Sequence, residues 1–191
     1  MRRSCHEVAD EVKILFYHGT SIGNLSELKP QISEHGEAYV YLTTDPVVAL
    51  LYTVKAVEPP FNWYPYGFKD GIPVYTEYYP DAIADVYNGK KGYIYEFVNV
   101  DGMKNPTNIG CACVCTEPLK TGKVIEIPNV YEKLLEHEKN GELIIERYSE
   151  LSEDRIKWIE NIIKSEIEKY DLKNYFNSYS EFIKNRFSDL W

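Results

Sequence analysis

The chain reads Tyr17-His18-Gly19-Thr20-Ser21 and, further on, Tyr39-Val40-Tyr41-Leu42-Thr43-Thr44. The second stretch alternates two kinds of side chain, with the period of two that is typical of a β-strand with two different faces. One face carries Tyr39, Tyr41 and Thr43, and the other carries Val40 and Leu42. The first stretch follows an apolar segment and places an imidazole and a glycine at the expected end of a strand. Together the two stretches predict a pocket for a flat, hydroxyl-rich ligand in one small domain.

Composition limits the class of protein. The chain has 191 residues, is 44% hydrophobic and carries a formal net charge of −9, with a pI of about 5.0. This acidity argues against a broad nucleic-acid-binding surface, which is normally basic. No apolar run approaches the roughly 20 residues that span a bilayer, and the N-terminus has no apolar signal-peptide core. We therefore expect a cytoplasmic protein without a membrane partner.

Periodicity and turn signals predict strands and helices in a mixed order. The expected strands are Val12–Tyr17, Ala38–Leu42, Val74–Tyr78, Gly92–Val98, Ile109–Thr116 and Lys123–Ile127. The expected helices are Ser21–Leu28, one starting at Thr44–Pro46, Pro80–Tyr87, Tyr131–Lys139, one capped by Ser152, and one or two within Phe176–Leu190. Residues 1–10 are expected to be a polar lead-in, and the polar segment Gln31–Glu37 and the aromatic, proline-rich segment Glu58–Phe68 are expected to form loops, the latter ordered.

This order of elements predicts an α+β fold. We expect a split, twisted antiparallel β-core of about six strands in a domain spanning residues 1–128. A helical extension spanning residues 129–191 is expected to pack on it.

The cysteines of the Cys111–Cys115 segment alternate along a predicted strand, so their thiols share one face. Thiols two residues apart on a strand lie about 7 Å apart, which is too far for two of them to share one zinc comfortably. The pattern therefore favours reduced, buried thiols and no metal site. Among acidic residues, Glu117 follows this strand directly, and Glu77 and Glu96 are competing candidates. Glu96 is expected to be exposed.

Three motifs resemble the NAD-binding half of the ADP-ribosyltransferase superfamily, in its diphtheria-toxin and poly(ADP-ribose) polymerase branch. They are Tyr17–Thr20, Val40–Thr43 and Ala49–Tyr52. That branch places His-Gly at the end of one strand, a Tyr on the next strand and a second Tyr eleven residues later on a helix. Tyr41 and Tyr52 have this spacing. The resemblance covers about residues 12–55 and reaches residue 128 only through the strand order and Glu117.

The resemblance implies NAD as a co-substrate and no metal. It implies that the backbone of Gly19 pairs with the nicotinamide carboxamide and that His18 hydrogen-bonds a ribose hydroxyl. Thr20 completes this NAD-binding motif. Tyr41 and Tyr52 would hold the nicotinamide ring between them.

The resemblance also implies that Glu117 is the catalytic residue and binds the ribose 2′-hydroxyl. Cleavage of the nicotinamide–ribose bond develops positive charge on the sugar, which a fixed carboxylate stabilises. Glu77 is the alternative acid. ADP-ribose would pass to an unknown protein or nucleic-acid acceptor.

Two other functions stay open. Ala49 stands where the family usually carries a small hydroxyl residue, which fits a catalytically silent member that binds a nucleotide or a protein. The RNA 2′-phosphotransferase branch shares the His18-Gly19-Thr20 opening, but it typically has a histidine where Tyr41 stands. The net charge and Tyr41 favour the NAD-using branch.

Overall fold

The computed structural model describes residues 13–32 and 37–191, which form eleven strands, five α-helices and two short 3-10 helices. The strands are β1 Leu15–Thr20, β2 Glu27–Leu28, β3 Gln31–Ile32, β4 Ala38–Thr43, β5 Tyr66–Lys69, β6 Ile72–Thr76, β7 Gly92–Val98, β8 Ala112–Cys115, β9 Leu119–Lys120, β10 Lys123–Ile127 and β11 Ile144–Glu146. The helices are α1 Pro46–Leu51, α2 Ala82–Tyr87, α3 Val130–Lys139, α4 Glu153–Lys169 and α5 Ser178–Arg186, with 3-10 turns at Tyr148–Glu150 and Ser188–Leu190.

The main sheet has six antiparallel strands and is split between β1 and β4. Strand β1 pairs with β7 along all six of its residues, and β10 pairs with the other edge of β7. In contrast, β1 meets β4 at the single pair Tyr17↔Thr43. Strand β4 also pairs with β8 and with β3. The expected α+β fold, with a split core of about six strands followed by C-terminal helices, is confirmed.

Two smaller sheets surround the main one. Strands β5 and β6 form an antiparallel hairpin, and β11 pairs with β6 in parallel. Strands β2 and β9 form a two-stranded sheet. The hairpin begins inside the segment Glu58–Phe68 that was expected to be a loop, so that expectation was wrong for residues 66–68.

The two faces of the main sheet bury different clusters. Phe16, Val40, Leu42, Tyr95 and Phe97 lie in the smaller cluster. The larger cluster contains residues of all five helices and of β7 and β10, including Leu50, Ile94, Leu134, Ile163 and Ile183. Residues 129–191 thus share one core with α1, because the apolar stripe of each helix must be covered.

The helix expected over Ser21–Leu28 is absent, because the backbone there finds partners in other elements. The Tyr95 hydroxyl accepts a hydrogen bond from Leu25 N–H at 3.0 Å and donates to the Ile22 carbonyl at 3.1 Å. The Thr121 hydroxyl donates to the Leu25 carbonyl at 2.5 Å. The chain then enters β2.

Several expected elements are confirmed close to their predicted bounds. Strands β7 and β10 have the bounds that were expected, and Ser152 caps α4 through a hydrogen bond from Arg155 N–H. Asp45 caps α1, with Pro46 in its first turn. Gln31 and Ile32 form β3 rather than loop. Some predictions fall on residues outside the described ranges. These are the lead-in at residues 1–10, Val12 of the first expected strand, and residues 33–36. Within the described ranges, no helix is long and apolar enough to cross a membrane.

Candidate functional site

His18 lies where β1 and β4 diverge. Its Nδ1 is 2.8 Å from the carbonyl oxygen of Tyr41. A carbonyl oxygen can only accept a hydrogen bond, so Nδ1 carries the proton and donates it. Burial lowers the pKa of His18, the bond to the Tyr41 carbonyl raises it, and the charge of nearby Lys55 lowers it, with a net fall. The imidazole is therefore neutral near pH 7, with Nε2 as a hydrogen-bond acceptor.

Gly19 packs directly against the backbone of α1. A Cβ at this position would lie 1.8 Å from the carbonyl oxygen of Ala49 and 3.2 Å from the nitrogen of Thr53. Helix α1 thus needs a glycine here in order to rest on β1. The sequence motif suggested close approach of a ligand, whereas the structure supplies a packing reason for the same residue.

Thr20, the last residue of β1, pairs with Tyr93 of β7. Its hydroxyl accepts a hydrogen bond from the Ile22 N–H at 3.3 Å. The threonine thus helps to direct the chain out of the strand and across the face that carries Tyr93.

The two predicted ring residues lie on different elements. Tyr41 is half-buried on β4, and its ring meets Tyr39 edge to face, with centroids 6.0 Å apart. Tyr52 is the C-cap of α1 and is 36% exposed. The helix thus ends one residue before the second tyrosine of the motif.

Two further tyrosines, which the sequence did not single out, surround Tyr52. The Tyr64 ring covers one face of Tyr52 at a centroid distance of 4.2 Å. Tyr66 meets Tyr52 edge to face at 6.0 Å, and the two hydroxyl oxygens are 3.3 Å apart. Burial and the Tyr52 neighbour raise the pKa of both Tyr64 and Tyr66. The aromatic, proline-rich segment was the signal for these residues, but only tertiary packing selects the two that contact Tyr52.

Glu117 follows β8 by two residues and is exposed. The register pairs Tyr41 with Val114 and Val40 with Cys115, so β8 runs from Thr43 back toward the start of β4. The ladder ends at the pair Val40↔Cys115, and Glu117 lies in the bend that follows. Thr43 pairs with Tyr17 on one side and Ala112 on the other, so β8 lies on the edge of β4 opposite to β1. The structure thus brings the His18 side chain to the Tyr41 backbone, whereas Glu117 lies beyond the end of β8.

Glu77, the alternative acid, is buried and hydrogen-bonded to the backbone. It is 3% exposed, and its two carboxylate oxygens accept hydrogen bonds from the backbone N–H groups of Ile83 at 3.2 Å and Tyr148 at 3.0 Å. Glu96 was expected to be exposed, but it is half-buried. It forms a 2.6 Å ion pair with Lys123 on the adjacent strand, because their positions are paired in the β7–β10 register.

A groove of about 500 Å³ lies at the start of α1, and neither His18 nor Tyr41 lines it. Its lining includes Asp45, Ile72, Pro73, Cys111, His137 and Glu142. His137 Nδ1 is 2.7 Å from a Glu142 oxygen. Cys111, Cys113 and Cys115 are free thiols, and burial raises the pKa of each. Across the described ranges, no group of three His, Cys, Asp or Glu side chains is arranged to hold a metal ion.

Comparisons with known proteins find no matching family model, no matching curated protein and no matching solved structure.

Proposed function

We propose that this chain binds NAD at the split between β1 and β4 and transfers ADP-ribose to a macromolecular acceptor. The observation that carries the proposal is the 2.8 Å bond between His18 Nδ1 and the Tyr41 carbonyl. This bond joins the two sequence motifs at the place where the sheet opens. Beyond the single pair Tyr17↔Thr43, β1 and β4 form no further residue pairs with each other, and the ligand would lie along these diverging edges.

The chemistry of the residues at the split suits a nucleotide. Neutral His18 would accept a hydrogen bond from a ribose hydroxyl through Nε2. Lys55 lies close enough for its charge to lower the pKa of His18, so it would attract the phosphates. Tyr52 would position the nicotinamide ring, with Tyr64 and Tyr66 supporting it from behind and from the edge. Holding the leaving group in one orientation lowers the entropy cost of the reaction.

In this proposal, Glu117 stabilises the positive charge that develops on the ribose. Its exposed position favours a second candidate, a member of the same fold that binds a nucleotide or a protein partner without transfer. An exposed carboxylate in the bend after β8 is surrounded by water and gives less stabilisation than one held at the split.

A thermal shift experiment with NAD tests binding. A ligand at one hundred times its Kd stabilises the native state by about 2.7 kcal/mol, which raises the Tm of a chain of this length by about 5–10 °C. We expect His18→Ala to remove most of this shift. No shift with NAD, together with a shift by a nucleotide 2′-phosphate, would replace the proposal by the RNA 2′-phosphotransferase alternative.

Release of nicotinamide, followed by chromatography, tests transfer. We expect Glu117→Gln to abolish nicotinamide release. The Tm should stay within 2 °C of that of the parent protein, because a substitution at an exposed position changes the free energy of unfolding by about 0.5 kcal/mol or less. Glu126→Gln is the matched control, since Glu126 is an exposed carboxylate on β10. NAD binding without nicotinamide release by the parent protein would support the silent candidate instead.

A further inference from the structure

A row of aromatic side chains that is exposed at both ends and half-buried in the middle borders the groove at the start of α1. The row consists of Tyr52, Tyr66 and Phe68, with centroids 6.0 and 5.9 Å apart in succession. Phe68 is 42% exposed and pairs across the hairpin with Pro73, which lines the groove. The row and the groove therefore adjoin at Phe68 and Pro73.

Tyr66 is the middle residue of the row. Burial and its Tyr52 neighbour are the main causes of its raised pKa, and Asp45 and Cys111, which line the groove, also contribute. The Tyr66 hydroxyl is 3.3 Å from the hydroxyl of Tyr52.

The groove presents two carboxylates with oxygens available for a ligand. Asp45 uses Oδ1 for both of its bonds to the N–H groups that begin α1. Glu142 uses Oε2 for its contact with His137. Among the hydrogen bonds and ion pairs of the described residues, Asp45 Oδ2 and Glu142 Oε1 have no partner. The groove lining contains no lysine or arginine.

We propose that this surface binds a lysine- or arginine-containing segment of a partner protein. The two carboxylates would receive the cationic head group, and the aromatic faces would cover its aliphatic stem and interact with its charge. Lys69 shares the face of its partner Ile72, but it is exposed and does not line the groove, so solvent screens its charge from the ligand. The proposal goes beyond NAD binding and does not depend on it, and Tyr52 is the one side chain that both ligands would contact.

The test is fluorescence anisotropy with a labelled peptide that alternates glycine and arginine, compared with the same peptide carrying glutamine in place of arginine. We expect the arginine peptide to bind and the glutamine peptide not to bind. Phe68→Ala should weaken binding about threefold, in line with an exposed cation–aromatic contact. Glu142→Gln should weaken it about tenfold, because a charge-assisted hydrogen bond is lost.

Matched controls separate this surface from the general attraction of an acidic protein. Glu126→Gln changes the net charge by the same amount on β10, which contributes no residue to the groove, and Phe176→Ala removes a ring that is 85% exposed in the turn before α5. Neither should change the Kd by more than about 1.5-fold, since neither side chain lines the groove and solvent screens the exposed charge of Glu126. Equal weakening by the two glutamate substitutions, or failure of the arginine peptide to bind, would overturn the proposal. Tighter binding of free arginine amide than of the peptide would overturn the assignment of a protein segment.

Discussion

Replacing Gly19 by alanine gives the sharpest test of how α1 rests on the main sheet. The added Cβ would lie 1.8 Å from the carbonyl oxygen of Ala49 and 2.8 Å from its carbonyl carbon. Both are backbone atoms of α1, so no side-chain rotation relieves the overlap. Gly19 does not have a positive φ, so its backbone conformation is open to alanine, and only the overlap with Ala49 opposes the substitution.

The cost follows from the rigidity of the two elements. Adding a methyl group to a well-packed site costs about 1–3 kcal/mol. Here β1 is hydrogen-bonded to β7 along its whole length, and all of α1 after its first residue is buried. We therefore expect the upper end, about 3 kcal/mol, which lowers the Tm by about 6–12 °C for a chain of this length.

Urea and thermal unfolding followed by circular dichroism measure this cost. The matched control is Gly67→Ala on β5, where an added Cβ meets nothing within 4 Å. That substitution should leave stability unchanged or raise it by about 0.4–1 kcal/mol, because alanine restricts the unfolded chain. Equal Tm values for the two variants would refute the packing argument, and Gly19 would then be free for the ligand role that the sequence motif suggests.

Three further substitutions test other parts of the structure. Glu77→Ala should lower the free energy of unfolding, measured with urea, by about 3 kcal/mol. The substitution leaves the N–H groups of Ile83 and Tyr148 without acceptors, which costs about 1–3 kcal/mol for each group. A loss below about 1 kcal/mol would contradict this role. Asp45→Ala should cost about 1–2 kcal/mol through loss of the α1 cap, measured in the same way, and no loss would mean that the cap is dispensable. Burial lowers the pKa of His18 below 6.5, so the unfolded state binds the proton more readily and stability falls as the pH drops below about 6.5. His18→Gln should therefore lose less Tm than the parent between pH 7 and pH 5; identical pH profiles of the Tm would show that His18 does not titrate in this way.

Local sequence patterns predicted an element correctly where its caps and the spacing of its apolar side chains lie within the element itself. The alternation in Tyr39–Thr44 predicted both the strand and its faces, since Val40 and Leu42 are buried in one cluster. Ser152 and the apolar stripe that follows it predicted α4, because capping and amphipathic spacing are local properties. The candidate residues His18 and Tyr41 were proposed from short sequence motifs, and both lie within their strands rather than at the ends.

Other features depend on partners that are distant in the chain. The segment Ser21–Leu28 has the composition of a short helix, yet the hydroxyl of Tyr95, 70 residues beyond Leu25, takes up its backbone N–H. The parallel pairing of β11 with β6 likewise joins segments about 70 residues apart. A hydrogen bond to a remote group replaces a local one at similar energy, so local propensity cannot decide between them.

The sequence by itself determined the α+β class, the faces of β4, the bounds of β7 and β10 and the capped helices α1 and α4, because these follow from periodicity and turn chemistry within a few residues. Only the tertiary structure showed that α1 packs so closely on β1 that Gly19 has no room for a Cβ. It also showed that both carboxylate oxygens of Glu77 accept hydrogen bonds from backbone N–H groups, and that Tyr64 and Tyr66 contact the Tyr52 ring. It also decided that the His18 ring donates to the Tyr41 carbonyl, while Glu117 lies in the bend after β8. These outcomes depend on distances between atoms far apart in the chain, and such distances exist only once the main sheet and its helices have packed.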